Sequence, residues 1–375
     1  MKHLFLTVAL FIVFGAPSVA KGGKETFINK NPHEVVTLKE NDFFIKQPKN
    51  IILLIGDGMG VAQLFAALTV NRGVLNITQM PFTGFSLTQS ASNYITDSAA
   101  GATALSTGQR TFNGAVGVDT LSMALPTILE ISNSMGYATG LVSSSSITHA
   151  TPASFIAHQP SRKMQEEIAA DFIDSDIDLF ICGGRKFFTN RKDKRNLLKE
   201  LQKDEYLIFS SLDEAANTNS GKIAILTAEK HNKAYPKRGE MLPEATEKAI
   251  NILKTNKKGF FLMVEGSMID WGGHANNTTY IVQETLDFDR AVGKALEFAS
   301  TNKETLVIIT ADHETGGMTI TGGDIEKGKV AAKYTTRSHT AVIVPVFAYG
   351  AGAENFTGVY KNSDVFEKMK EAFGF

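Results

Sequence analysis

Cysteine is nearly absent: Cys182 is the only one in 375 residues, so no disulfide can form within the chain. A small disulfide-stapled scaffold is excluded, and stability must come from a core. Cys182 follows an apolar run, residues 179–181, which predicts a buried strand end rather than a reactive thiol. An excess of either charge is also missing. Lys and Arg number 38 against 39 Asp and Glu, and the resulting net charge of −1 offers no nucleic-acid footprint. Beyond the first twenty residues no apolar run is long enough for a membrane span, so none is expected in the mature chain. The remaining composition, 43% hydrophobic and 21% charged, excludes disorder and suits a large core. The lysine-rich stretch 185–203 reads as a solvated helix face.

The one concentrated apolar run stands at the start. Lys2 and His3 precede residues 4–14, Pro17 follows, and Ser18-Val19-Ala20 places small residues where a signal peptidase reads. Residues 1–20 are therefore expected to be a signal peptide cleaved after Ala20, with the product exported to the periplasm or beyond. Residues 21–48 are polar and read as an irregular N-terminal arm, and residues 49–375 as one catalytic domain.

Within that domain, short β-branched runs end abruptly in polar clusters. Residues 51–55 lead into Gly56-Asp57-Gly58, and residues 139–142 into a serine tract and Thr148-His149-Ala150-Thr151. Residues 260–264 lead into Glu265-Gly266, residues 306–310 into Ala311-Asp312-His313-Glu314, and residues 343–349 into Gly350. Helical spacing occupies 125–135, 162–173, 243–254 and 279–299. Continuous apolar strands alternating with helices predict an α/β fold, a three-layer sandwich with a mostly parallel sheet between helices. Ligands of such folds gather at the carboxyl ends of the strands, where this chain keeps its Asp, Glu and His.

Several clusters carry chemistry. Asp57 sits in a glycine-rich turn and reads either as a turn former or as a ligand that a metal can approach closely. Ser98 precedes an alanine-rich helix; it reads as an N-cap, or as a hydroxyl placed where a helix N-terminus favours a phosphoryl group. No histidine in this segment offers itself as a base, so a metal would have to activate that hydroxyl. Glu265, Asp270 and His274 fall within ten residues, with Asp270 and His274 one helical turn apart, a spacing and chemistry suited to zinc. Asp312 and His313 share another strand end. His339 gains weight because Asp270 and His274 need a third protein ligand. His149, Thr151 and Arg162 read as ligands and a phosphate fork, or as loop and surface residues.

Taken together, these segments resemble the alkaline phosphatase family over nearly all of the mature chain, in the family's order, with Asp97-Ser98-Ala99-Ala100 and residues 265–274 the most specific. The resemblance implies hydrolysis of small phosphate monoesters through a phosphoserine at Ser98, by a homodimer with a central, mostly parallel sheet. It implies a first zinc held by Asp270, His274 and His339, and a second held by Asp57, Asp312 and His313 and touching Ser98. A third, magnesium-type site would use Asp57, Thr151 and Glu265. Arg162 would clamp the phosphate, oriented by Asp97. His149 and Trp271 stand where the best-known bacterial pattern has Asp and Lys, so the third site, with His149 beside it, is expected to take zinc or magnesium.

Three alternatives differ in their requirements. A sulfatase needs a Cys/Ser-x-Pro/Ala-x-Arg nucleophile segment, which neither Ser98 nor Cys182 provides. A related phosphodiesterase or nucleotide pyrophosphatase would lack the arginine clamp. A secreted metal- or phosphate-binding protein would need the ligands but not Ser98.

Overall fold

The computed structural model describes residues 25–39 and 47–375. The expected signal peptide, and the parts of the arm at 21–24 and 40–46, lie outside the described residues. Ten strands form one sheet: β1 (Asn50–Gly56), β2 (Phe82–Leu87), β3 (Ala138–Ser146), β4 (Leu179–Gly183), β5 (Leu207–Phe209), β6 (Ile223–Ala228), β7 (Phe260–Gly266), β8 (Thr305–Thr310), β9 (Val344–Gly350) and β10 (Gly358–Lys361). Their order across the sheet is β10-β2-β9-β8-β1-β7-β3-β4-β6-β5. Only β9 runs antiparallel to its neighbours, β2 and β8; the other pairings are parallel.

Alternation along the central strands divides the core in two. Ile52 and Leu54 of β1, Leu262 and Val264 of β7, and Val307 and Ile309 of β8 face one side. There they meet α1 (Val61–Val70), α4 (Met241–Leu253) and α6 (Thr278–Asn302) through residues such as Leu64, Leu242 and Ile281. Ile51, Leu53, Phe261, Met263 and Ile308 face the other side, against α2 (Ser98–Thr107) and α7 (Asn362–Phe373) through Ala102, Leu105, Val365 and Met369. Both faces are buried, which is why these strands read as unbroken apolar runs rather than as alternation. Each fully buried Leu or Ile contributes about 1.5–3 kcal/mol relative to exposure. The expected three-layer α/β sandwich is the architecture observed.

Some local expectations need correction. The lysine-rich stretch forms two short helices, Arg185–Thr189 and Leu197–Lys203, whose Phe188, Leu197, Leu198 and Leu201 are buried, so only part of it is a solvated face. The arm is not irregular throughout: Glu25–Ile28 pairs antiparallel with Lys329–Tyr334 in a small sheet completed by Met318–Asp324. The helix expected from 162 begins only at Gln165; Arg162 precedes it, its N–H bonded to the Gly114 carbonyl. Cys182 is buried in β4, as its setting predicted. Among the described residues, no helix is long and apolar enough to cross a membrane.

Candidate active site

The carboxyl ends of β1, β7, β8 and β3 build one site. β1 lies between β7 and β8, with Ile55 opposite Glu265 on one side and Thr310 on the other, so Asp57, Glu265 and Asp312 emerge together. The turn after β1 is held open by Gly58, whose φ is +74°; a Cβ there would lie 2.7 Å from the Asp270 Cα. A side chain at that position would thus be strained and would push away α5 (Met268–His274).

The first cluster lies on α5 and a short strand, His339–Thr340, that pairs with Glu314–Thr315. Asp270 Oδ1 lies 3.3 Å from His274 Nε2 and 3.4 Å from His339 Nε2. The two Nε2 atoms are 3.2 Å apart. Each imidazole is oriented from behind, His274 Nδ1 by the Arg337 carbonyl at 2.7 Å and His339 Nδ1 by the Thr96 carbonyl at 2.9 Å. Carbonyls only accept, so the Nδ1 atoms carry the protons and the Nε2 atoms are the ligating ends.

Ser98 opens α2 but does not cap it. Asp97 is the cap, its Oδ1 accepting the Ala100 N–H at 3.1 Å and the Gly114 N–H at 3.0 Å. Its Oδ2 receives Arg162 Nη1 at 3.1 Å. One carboxylate therefore fixes both the helix start and the guanidinium. The Ser98 hydroxyl lies 3.1 Å from His313 Nε2, which also stands 3.2 Å from Asp312 Oδ2 and 3.5 Å from Asp57 Oδ1. Thr315 donates its hydroxyl to Asp270 Oδ1 at 2.5 Å, which leaves its oxygen to accept from His313 Nδ1 at 3.2 Å. The His313 Nε2 lone pair consequently faces Ser98 and the two carboxylates.

A further cluster, deeper than the first, joins Asp57, His149 and Glu265. Thr151 lies on the short helix α3 (Ala150–Ala153), for which His149 is the N-cap. Glu265 Oε2 accepts the Ser143 and Ser267 hydroxyls at 2.6 Å each. On the other side, both Asp57 oxygens and His149 Nδ1 are buried without a hydrogen-bond partner, and the Thr151 hydroxyl lies against Glu265. Unpaired buried atoms gathered in this way are costly unless a cation or water joins them.

The charges point the same way. Burial pushes Asp57 well above the usual carboxylate range, and Asp312, Asp270 and Glu265 push it further. Burial raises Asp312 to about 6 and Glu265 to about 7. His149 is lowered to about 3, first by burial and then by Arg162, and is neutral. His274 is raised to about 9 by its bond to Asp270, so a proton there does what a cation would do. Three ligand groups have their atoms within 4.8 Å of one another: Asp270, His274 and His339; Asp57, Asp270 and His313; and Asp57, His149 and Glu265. Nitrogen with carboxylate in the first two, and oxygen-rich in the third, these residues fit metal ions.

The residues expected from the sequence lie together at these strand ends, but the second ligand group joins Asp57 and His313 to Asp270, with Asp312 beside it rather than in it. Sequence reasoning missed the residues that hold them: Thr315, Ser267, and His231, whose Nδ1 accepts the Ser146 N–H at 3.1 Å. None stands at ligand-like spacing; the serine tract was the only visible sign. Glu314 turns away to Gln63 and the Met318 N–H.

A hydroxyl at a helix start, a carboxylate-held guanidinium and convergent His/carboxylate groups define a metal-dependent α/β hydrolase of anionic esters. The match to known proteins is specific. A family model for alkaline phosphatase covers residues 48–333. Alkaline phosphatase 4 of Bacillus subtilis is 34% identical, over 84% of this chain and 87% of that protein. The alkaline phosphatase of the Antarctic bacterium TAB5 superposes with a TM-score of 0.83 at 41% identity, over 88% of this chain and 99% of that one. A His-to-Asp variant of the TAB5 enzyme, with Mg bound in its M3 site, scores 0.84 over the same shares at 41% identity. The chain belongs to the alkaline phosphatase family, and it is a phosphoric monoester hydrolase dependent on metal.

Proposed function

We propose that Ser98 is the nucleophile of this phosphomonoesterase. The observation that carries the assignment is its hydroxyl, at the N-terminus of α2 and 3.1 Å from Nε2 of His313, a member of one ligand group. Ser98 gives up its hydroxyl proton as Oγ bonds to phosphorus and the bond to the ester oxygen breaks, the leaving oxygen taking a proton from solvent; water then cleaves the phosphoserine, releasing phosphate and restoring the hydroxyl. Arg162, held by Asp97, forks onto the non-bridging oxygens. A dianionic monoester gives that fork more charge than a diester, which favours the monoester reading over a phosphodiesterase.

Asp270, His274 and His339 would hold one zinc, and Asp57, Asp312 and His313 a second. Such a pair supplies Lewis acidity that lowers the pKa of the hydroxyl and neutralises charge on the leaving oxygen. His313 Nε2 has one lone pair, so in the loaded enzyme it is a ligand rather than a base. Asp57, Thr151 and Glu265 would hold magnesium or zinc, with His149 adding nitrogen. That TAB5 carries magnesium in its M3 site as a His-to-Asp variant supports reading such a site here.

The mature protein would be exported after cleavage at Ala20. It would act as a homodimer, for which the exposed Val61 and Phe65, four apart on α1, offer an apolar face. Sedimentation of the wild type tests the dimer. The nucleophile is tested by Ser98→Ala: turnover of a chromogenic monoester should fall at least about a thousandfold, with fold and metal content retained. Normal turnover would remove the assignment.

A further inference from the structure

Trp271 is the only tryptophan in the chain, and it follows Asp270 on α5. Two histidines meet its ring edge-on: His231, with centroids 4.9 Å apart and planes at 84°, and His149, at 6.1 Å and 76°. The two histidine rings are themselves 5.8 Å apart at 89°. Three mutually perpendicular rings therefore form one wall of the site, in the edge-to-face geometry that aromatic pairs prefer.

His231 belongs to none of the three ligand groups. Its Nδ1 accepts the N–H of Ser146, the last residue of β3, and the Ser146 carbonyl in turn accepts the N–H of His149 at 2.9 Å. The acceptor thus fixes the turn that carries His149 and Thr151, and the ring braces His149 and Trp271. The loop bearing His231 is anchored from outside the site. Thr227 Oγ1 donates to Asn232 Oδ1 at 2.8 Å, the Tyr235 N–H to Glu284 Oε1 at 2.7 Å, and Arg238 pairs with Glu284 and Asp287. Gly183 admits the loop, since a Cβ there would lie 2.2 Å from the Lys230 carbonyl oxygen. Behind the loop is a cavity of about 400 Å³, lined by Thr227, His231, Lys233 and Met241 among others. Discrete bonds and ring contacts therefore locate His231.

We propose that His231 is a positioning residue, which orients His149 through Ser146 and braces Trp271, and so sets the affinity of the third site for its metal. The metal half rests on reading Asp57, His149, Thr151 and Glu265 as a metal site; the ring half does not.

Three variants of the metal-loaded enzyme separate the two contacts. His231→Asn keeps an acceptor and loses the ring, His231→Phe keeps a ring and loses the acceptor, and His231→Ala loses both. Tryptophan fluorescence reads Trp271 alone, through its emission maximum and its quenching by acrylamide. Metal analysis after dialysis against graded zinc and magnesium reads the third equivalent of metal. In His231→Ala, emission should shift to the red, quenching should rise, and affinity for the third equivalent should fall about 10-fold or more, as for other residues that orient ligands. His231→Phe should keep wild-type emission and share the loss of metal affinity; His231→Asn should do the reverse. Wild-type fluorescence and metal content in His231→Ala would overturn the proposal, as would equal changes in all three variants, or a fluorescence change with no metal effect in any. Should His231→Ala fail to fold, the Asn and Phe variants still decide between these outcomes. Fluorescence does not depend on Ser98, so failure of the nucleophile assignment and failure of this proposal are distinguishable.

Discussion

The open cluster of Asp270, His274 and His339 and the deep cluster of Asp57, His149 and Glu265 solve one electrostatic problem differently. In the open cluster the imidazoles themselves bond Asp270, and His274 is raised to about 9, so protons hold the group together without metal. In the deep cluster His149 is driven to about 3 and cannot serve that way. Its carboxylates lose charge instead, Glu265 rising to about 7, and both Asp57 oxygens stay unpaired. A nitrogen-rich group can thus keep its shape on protons, whereas a buried oxygen-rich group needs a cation.

A large effect is expected from breaking the open cluster. Asp270→Asn should lower kcat/KM at least about 100-fold, since Asp270 belongs to two of the ligand groups. Zinc and magnesium content, measured beside activity, checks that the loss follows the metal. Chelation should abolish activity, with metal leaving the open cluster first, because the His274 side chain is 42% exposed and Asp57 is fully buried; stopped-flow release with a chromogenic chelator gives the order. Arg162→Ala should cost about 10–100-fold in kcat/KM for monoesters, the worth of about 1.5–3 kcal/mol for hydrogen bonds to a charged group, and less for diesters. An equal loss for both substrate types would contradict the fork.

A subtler effect concerns pH. Groups whose folded pKa is raised stabilise the protonated fold, and that contribution is lost as pH climbs from the unfolded to the folded value. In metal-free protein such contributions fall in two windows, the lower one opposed by His149, whose lowered pKa makes stability rise between about 3 and 6.5. The deep carboxyls act between 4.5 and about 7 for Glu265 and between 3.8 and about 6 for Asp312. His274 acts between 6.5 and about 9. Calorimetry across pH should show Glu265→Gln flattening the lower window only, and metal-loaded protein lacking both. The smallest effect is expected from His149→Asp, which should raise the ratio of magnesium to zinc at the third site by replacing nitrogen with oxygen; unchanged occupancy would mean that His149 does not tune the metal.

The ligands were legible because they stand at strand ends. β1, β7 and β8 are buried on both faces, so their apolar runs are unbroken, and the polar residues that terminate them stand out. β5 and β10 were not legible, being short, edge-lying and partly exposed, without a continuous apolar run. Arg162 was placed on a helix because its segment has helical spacing, but the helix starts three residues later and Arg162 is held by Gly114 and Asp97. His231 left no trace in spacing, since its partner Ser146 lies far along the chain, and the role of Thr315 shows only once the fold brings Asp270 to it beside His313. Of the two readings of Ser98, the N-cap one fails: Asp97 caps α2 and holds Arg162 at once, a double role that only the fold displays.

The central claim is that phosphate passes through Ser98, and trapping the covalent enzyme tests it most directly. Metal-loaded protein, mixed with a monoester, quenched in acid and digested, should yield one phosphorylated peptide, with the phosphoryl group on Ser98. A phosphoryl group on another residue, or steady turnover by metal-loaded Ser98→Ala, would contradict the account.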